Sequence, residues 1–526
     1  MAPKWWTLIA VVTGVFMLVL DITIVNVALP DIGRDFDSPL SDLQWVIDAY
    51  ALALAAGLLT GGSLADLWGR RRLYAAGLAI FTAGSLLCGL ATGPLFLSLA
   101  RAGQGVGGAV VWATSLALLG DAFRGRDRGT AFGIYGGVLG LAAAVGPLLG
   151  GLLTSGLNWR WIFLVNVPVG IAVIAVTLTR LRESRNPAAA RPDWAGFVTF
   201  SAALSLLVYG LISAAEGWSE PSVRWSLAGA AAFLVAFLVL EIVQEHPMLD
   251  LTLFRKPTFT GGLVAAFGLN ASIYSLFAYL VLYFQQQLGH SAAETGLRFL
   301  SLTAAMFVAS TLAGRLTSVI PARLMIGGGF VLIGGGIALM AGVTAGSGFG
   351  HLLPGMIIAG TGAGLVTVPL ASTAVGVVPP AQAGAASGIN ATARQIGIAT
   401  GIAALGSLFT AALRDTVAAD LRGTPLASRA REIAAGVEAS GPAHANALVE
   451  RAAQHGFVDG LNQILLIGSG VAFSAAVLSL ILIRGRDFVP PPAAETTGSP
   501  EPAGTTAPTS TAAPASTADA AEPSHS

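Results

Sequence analysis

The sequence predicts an all-α integral membrane protein with fourteen spans, and three observations carry that expectation. Of its 526 residues, 54% are hydrophobic and only 11% charged, with a mean hydropathy of +0.74. Soluble domains run near a quarter charged, so most of this surface must face lipid or other helices. Apolar stretches long enough to cross a bilayer recur along the chain, each meeting the ~20-residue requirement of a spanning helix. Basic residues then crowd onto alternate connections between those stretches, as multi-pass insertion demands.

In order, the stretches lie at about 6–29, 44–64, 73–92, 95–119, 131–154, 161–180, 195–215, 225–244, 258–284, 296–316, 323–343, 350–377, 386–411 and 461–483. The first is too long for a signal-peptide core and lacks an A-x-A cleavage pattern, so it reads as a retained helix. One set of connections holds Lys4, Arg70, Arg71, Arg72, Arg124, Arg126, Arg128, Arg182, Arg185, Arg191, Arg255, Lys256, Arg315, Arg323, Arg484 and Arg486. The other holds Arg34, Arg160, Arg224 and Arg298. That excess places both termini in the cytoplasm, and an even number of spans agrees. Two segments stand apart: a polar, alanine-rich external loop with helical tendency over 412–459, and a Pro/Ala/Thr/Ser tail over 487–526 too poor in large apolar residues to fold.

Several function classes drop out. Net charge is zero, so no basic field points to nucleic acid. The single cysteine, Cys88, lies in an apolar stretch and permits neither an intrachain disulfide nor a thiolate metal cluster. The six histidines show no metal-ligand spacing, and no cluster of catalytic groups forms at either membrane face. Neither an enzyme nor a cofactor is therefore expected.

Charges inside the spans are the functional signal. Asp21 stands in the first stretch, Asp48 in the second and Arg101 in the fourth, each costly in hydrocarbon unless it faces an interior path or partner. Counting from the outer helix ends at 1.5 Å per residue puts them ~12, ~8 and ~9 Å deep, in one layer. A buried Arg beside two carboxylates can neutralise one and leave the other to titrate or meet a cation. The alternative is an Asp21–Arg101 tie between two helices, with Asp48 wet at a helix mouth. Gln104, Gly105, Gly108 and Trp112 share the Arg101 face, and Gln44 and Trp45 precede Asp48 by about one turn. Such a polar and aromatic wall suits a large, partly apolar ligand. Trp45 reads equally as an interfacial belt residue.

Two further segments carry patterns. Gly62, Asp66 and Gly69, followed by Arg70, Arg71 and Arg72, bracket a tight turn between the second and third spans. Asp66 there can accept from backbone N–H groups at a neighbouring helix N-terminus or pair with an Arg, closing one side of the molecule. The fifth span gathers Gly133, Gly136, Gly137, Gly140, Gly146, Pro147, Gly150 and Gly151, which allow close helix approach and a bend. Arg394, in the thirteenth span, is either functional or a residue reaching to the cytoplasmic face.

These segments together resemble the fourteen-helix drug:proton antiporters of the major facilitator superfamily. The resemblance rests on Leu20-Asp21-Ile22-Thr23-Ile24-Val25-Asn26 through Pro30, on Gly62…Asp66…Gly69-Arg70-Arg71, and on Arg101…Gln104-Gly105. It continues through Gly146-Pro147…Gly150-Gly151, Asn158 through Pro168, Asp193-Trp194…Gly196, and Ser387-Gly388…Asn390…Arg394-Gln395…Gly397. It covers about residues 10–485.

The resemblance implies two six-helix bundles, 1–182 and 256–486, around a central cavity, with an inserted helix pair within 183–255. It further implies export of amphiphilic drugs or antibiotics, driven by the proton gradient; a monomer in the bacterial cytoplasmic membrane is expected. Asp21 and Asp48 are expected to exchange protons, with Arg101 tuning them. A proton-coupled uptake symporter on the same fold is the alternative. The matching turn in the second half keeps Gly314, Arg315 and Arg323 but no acid, so closure is expected to rest on the N-terminal half.

Overall fold

Among the described residues of the computed structural model, fourteen long helices follow one another along the chain. The structure describes residues 3–488 except 39, 185–192, 215–217, 245, 246, 248, 318, 380, 381, 427–432 and 434–446. The tail read as disordered lies outside the described residues from 489 onward.

The first bundle comprises α1 (Pro3–Phe36), α2 (Leu40–Trp68), α3 (Arg70–Gly89), α4 (Pro94–Ala122), α5 (Gly125–Gly156) and α6 (Trp161–Arg180). A hairpin, α7 (Trp194–Ser213) and α8 (Pro221–Val243), follows it. The second bundle comprises α9 (Pro257–Gln287), α10 (Ala292–Leu316), α11 (Ala322–Met340), α12 (Phe349–Gly376), α13 (Ala383–Asp420) and α14 (Ala447–Leu482). Thirteen of these are long and apolar enough to cross a membrane as described. The fourteenth, α5, is a 32-residue helix packed between α1 and α10.

Packing follows the sequence pattern. Within the first bundle α4 lies against α2 and α3, and α1 against α5; within the second, α12 lies against α10 and α11, and α14 against α11 and α13. The hairpin α7–α8 packs on itself and lays α7 along α2. Helix α9 carries two π-helical turns, Asn270–Tyr274 and Tyr283–Gln287, an irregularity that often marks a functional position.

The bundles meet along two seams, α2 against α13 and α5 against α10. Their closest approaches pair Gly62 with Gly384 and Gly129 with Gly314, where an added Cβ would collide with the opposing backbone oxygen. Both pairs sit at the end bearing the α2–α3 turn. At the opposite end, the apolar cluster of Ile24, Val25, Ala28, Ile32, Val46 and Leu97 draws on the first bundle alone.

At its described ends the 412–459 segment shows the helical tendency expected of it. Residues 412–420 continue α13 and 447–459 open α14. Leu413, Val417 and Leu421 pack at helical spacing with Ala453 and Phe457, and His455 Nδ1 meets Asp420 Oδ2 at 2.9 Å.

Candidate functional site

Asp21 and Arg101 meet inside the first bundle, 0% and 1% exposed. Arg101 Nη1 donates to Asp21 Oδ2, and also to Gln104 Oε1 at 2.7 Å, while its Nε donates to the Val46 carbonyl at 3.0 Å. Gln104 Nε2 in turn donates to Asp21 Oδ1 at 2.8 Å and to Ser85 Oγ at 2.7 Å. Asn166 Nδ2 is the third donor to the carboxylate, meeting Oδ1 at 3.3 Å. The guanidinium lies 4.1 Å from the Tyr50 ring centroid and 5.7 Å from that of Phe163, within cation–π range.

The network therefore binds α1, α2, α3, α4 and α6 through one ion pair. Its local cause is steric: a Cβ on Gly105 would come within 2.5 Å of the Tyr50 carbonyl, so only glycine lets α2 approach α4 this closely. Charged hydrogen bonds in a dry interior are strong, and removing one partner of such a pair costs about 3–5 kcal/mol. Sequence spacing named Gln104. It missed Tyr50, Ser85 and Asn166, of which Asn166 alone left a signal, a lone amide in an otherwise apolar stretch.

Asp48 does not join this cluster. It is half-buried and makes no hydrogen bond or ion pair among the described residues. It lies two positions before Tyr50, about 200° around the helix, so it points away from Arg101. Its stripe instead holds Trp45, which stacks on Tyr209 of α7 at 6.2 Å, and Leu52 and Ala55, which pack against Leu204 and Val208 of α7. Trp45 thus faces the inserted hairpin. Trp112 is partly buried on the Arg101 face of α4, and the Gln44 side chain lies outside the described residues.

The α2–α3 turn realises both contacts considered for Asp66. Its carboxylate accepts from the backbone N–H of Gly384 (3.0 Å) and Ala385 (3.2 Å), at the N-terminus of α13. It also accepts from Arg70 Nη2 at 2.8 Å and Nε at 3.1 Å. A negative charge at a helix N-terminus is favoured by the unpaired N–H groups and the helix dipole. Gly69 adopts φ +102°, a conformation open to glycine, and its Cα faces Glu183, whose oxygens would lie 2.5 Å from any Cβ there. Glu183 accepts from the backbone N–H of Arg71 (3.0 Å) and Arg72 (3.3 Å), a contribution the sequence reading did not name. Arg71 Nη1 reaches the Leu181 carbonyl at 3.3 Å. The turn is thereby tied to the second bundle through Asp66 and to the end of α6 through Glu183.

The glycines of α5 divide their work. Gly133, Gly136 and Gly140 face Ser310, Thr367 and Met306 of the second bundle, whereas Gly146 presses on Thr23 of α1. Gly150 is buried and Gly151 faces open space. The helix runs unbroken through Pro147, whose side chain lies outside the described residues.

Comparisons with known proteins agree with this architecture. The human organic anion transporter MFSD10 (TETRAN) superposes with a TM-score of 0.61 at 15% identity, covering 91% of this chain and all of that one, a likeness of fold. In sequence the chain is 35% identical over 499 residues to the multidrug resistance protein Stp of Mycobacterium tuberculosis, covering 92% of each. It is 36% identical over 502 residues to the puromycin resistance protein pur8 of Streptomyces alboniger, covering 94% of each. It is 33% identical over 494 residues to the tetracenomycin C resistance and export protein of Streptomyces glaucescens, covering 90% of this chain and 91% of that one. The family pattern described as Major Facilitator Superfamily matches residues 11–402, and with two six-helix bundles and an inserted pair the chain belongs to that superfamily.

Proposed function

We propose that this protein exports amphiphilic drugs or antibiotics across the bacterial cytoplasmic membrane in exchange for protons, by alternating access around the seam between its bundles. The observation that supports export most strongly is the set of relatives named for resistance and export, matched over 90% or more of this chain. With both termini inside, as the loop charges favour, the Asp66–Gly384 contact would hold the cytoplasmic end closed and leave access from the outside.

In the proposed cycle Asp21 is the coupling carboxylate. Protonating it from outside would cancel its charge and release Arg101 and Gln104 from it, loosening α1 from α4. Loss of that proton to the cytoplasm would restore the pair. Asp48 supplies a second acid on the side of α2 that faces α7, acting separately from Arg101. Asp66 supplies the latch that must open before cytoplasmic loading.

Expression in a pump-deficient host tests export: resistance to a panel of amphiphilic compounds should rise. Inverted vesicles given a proton gradient, acid inside, should then accumulate the same compounds. Proton-driven loss of compound from those vesicles would instead establish uptake by symport and overturn the proposal.

A further inference from the structure

The second bundle also holds a buried cation, and its surroundings differ from those of Arg101. Arg394 of α13 is 6% exposed, about 16 Å along a helix that begins at Ala383, near the middle of the ~30 Å hydrocarbon layer. It is thus interior, and the reading of it as a residue reaching to the cytoplasmic face does not hold. Among the described residues no carboxylate pairs with it. Its Nε donates to Asn390 Oδ1 at 3.3 Å, and its Nη2 is buried without a partner.

Two more donors share its face. Asn390 Nδ2 and Ser387 Oγ, at i−4 and i−7, are likewise buried without partners, in residues 1% and 0% exposed. About 100° round the helix from Ser387, Gly388 lies against the Leu58 carbonyl of α2. One turn beyond Arg394, Gly397 lies against the Phe267 carbonyl of α9, so the three donors sit where α13 passes between the first bundle and α9.

Buried donors are almost always satisfied, and an unsatisfied charged one is the costliest kind. Three on one face, with a guanidinium that stays protonated, make a cradle for an anionic oxygen group. We infer that Ser387, Asn390 and Arg394 bind the carboxylate of an acidic amphiphile, so that the exported class is organic anions. This assignment rests on the export reading above.

The test uses the full-length protein in nanodiscs with three probes of one skeleton: 1-pyrenebutyrate, its methyl ester and 1-pyrenebutylamine. Fluorescence titration should show the acid binding about 10-fold or more tighter than the ester. Arg394→Gln should abolish that preference while leaving the ester unchanged, and Arg394→Lys should keep part of it, since a point charge replaces the fork. Ser387→Ala should weaken the acid alone by about 3-fold or more. Equal binding of acid and ester by the native protein would overturn the inference, as would an Arg394→Gln variant that weakens all three probes alike. Efflux from intact cells separates the two readings. If native cells extrude the ester or the amine without any preference for the acid, this inference falls alone; if they extrude none of the probes or the wider panel, the export reading falls and takes it along.

Discussion

Arg101 and Arg394 are the same residue, nearly equally buried, one in each bundle, and they are treated in opposite ways. Arg101 spends its donors on Asp21, Gln104 and the Val46 carbonyl and lies against two aromatic rings. Arg394 has one 3.3 Å hydrogen bond and a buried Nη2 with nothing to meet. A saturated cation holds helices together. An unsaturated one, kept at a desolvation cost the fold alone does not require, is a place for something that comes and goes.

That contrast can be broken by stability measurements. Arg101→Ala leaves Asp21 unpaired in a dry interior and should destabilise the protein by about 3–5 kcal/mol, read as a large fall in the unfolding temperature of the detergent-solubilised protein. Arg394→Ala should cost less than about 1 kcal/mol or raise stability, because it removes an uncompensated charge. Comparable losses from the two would show that Arg394 is held by partners as Arg101 is.

A second contrast lies between the two ends of the molecule. Asp66→Ala removes up to four hydrogen bonds joining the α2–α3 turn to Arg70 and α13. At about 1.5–3 kcal/mol for contacts to a charge, it should shift the bundle equilibrium roughly 10- to 100-fold away from the closed turn end. Spin labels at the exposed Arg72 and Arg323 should then report a longer distance population; an unchanged distribution would remove Asp66 from the latch. Glu183→Gln should act more weakly, at about 0.5–1.5 kcal/mol, since it steadies the turn without crossing the seam. Asp48→Asn should give the smallest change in unfolding temperature, within about 0.5 kcal/mol, as no described group pairs with it. A larger loss would mean that Asp48 has a structural partner.

Much of this was legible in the chain. Asp21 and Arg101 stood out because a charge in an apolar stretch has few alternatives, and Gln104 followed from helical spacing. Asp66 was readable because an acid framed by two glycines at a turn has only nearby N–H groups and arginines to meet. For Asp48 the depth was legible and the direction was not: counting residues gives depth in the membrane, whereas the direction around a helix depends on its neighbours. Depth put Asp48 level with Arg101, and the packing of Trp45 on Tyr209 turned it the other way. Tyr50, in aromatic contact with Arg101, was hidden by the same uncertainty. Arg394 could not be ranked from sequence because its burial, and the lack of a partner for its Nη2 among the described residues, come from how α13 packs.

The claim that Asp21 couples substrate to protons is tested most directly in proteoliposomes by the double variant Asp21→Asn with Arg101→Gln. Removing both charges avoids stranding either one, so the protein should remain folded. The account predicts that substrate-for-substrate exchange persists without a gradient, while uphill transport driven by a proton gradient is lost. Proton-driven accumulation at the native level in that variant would contradict it.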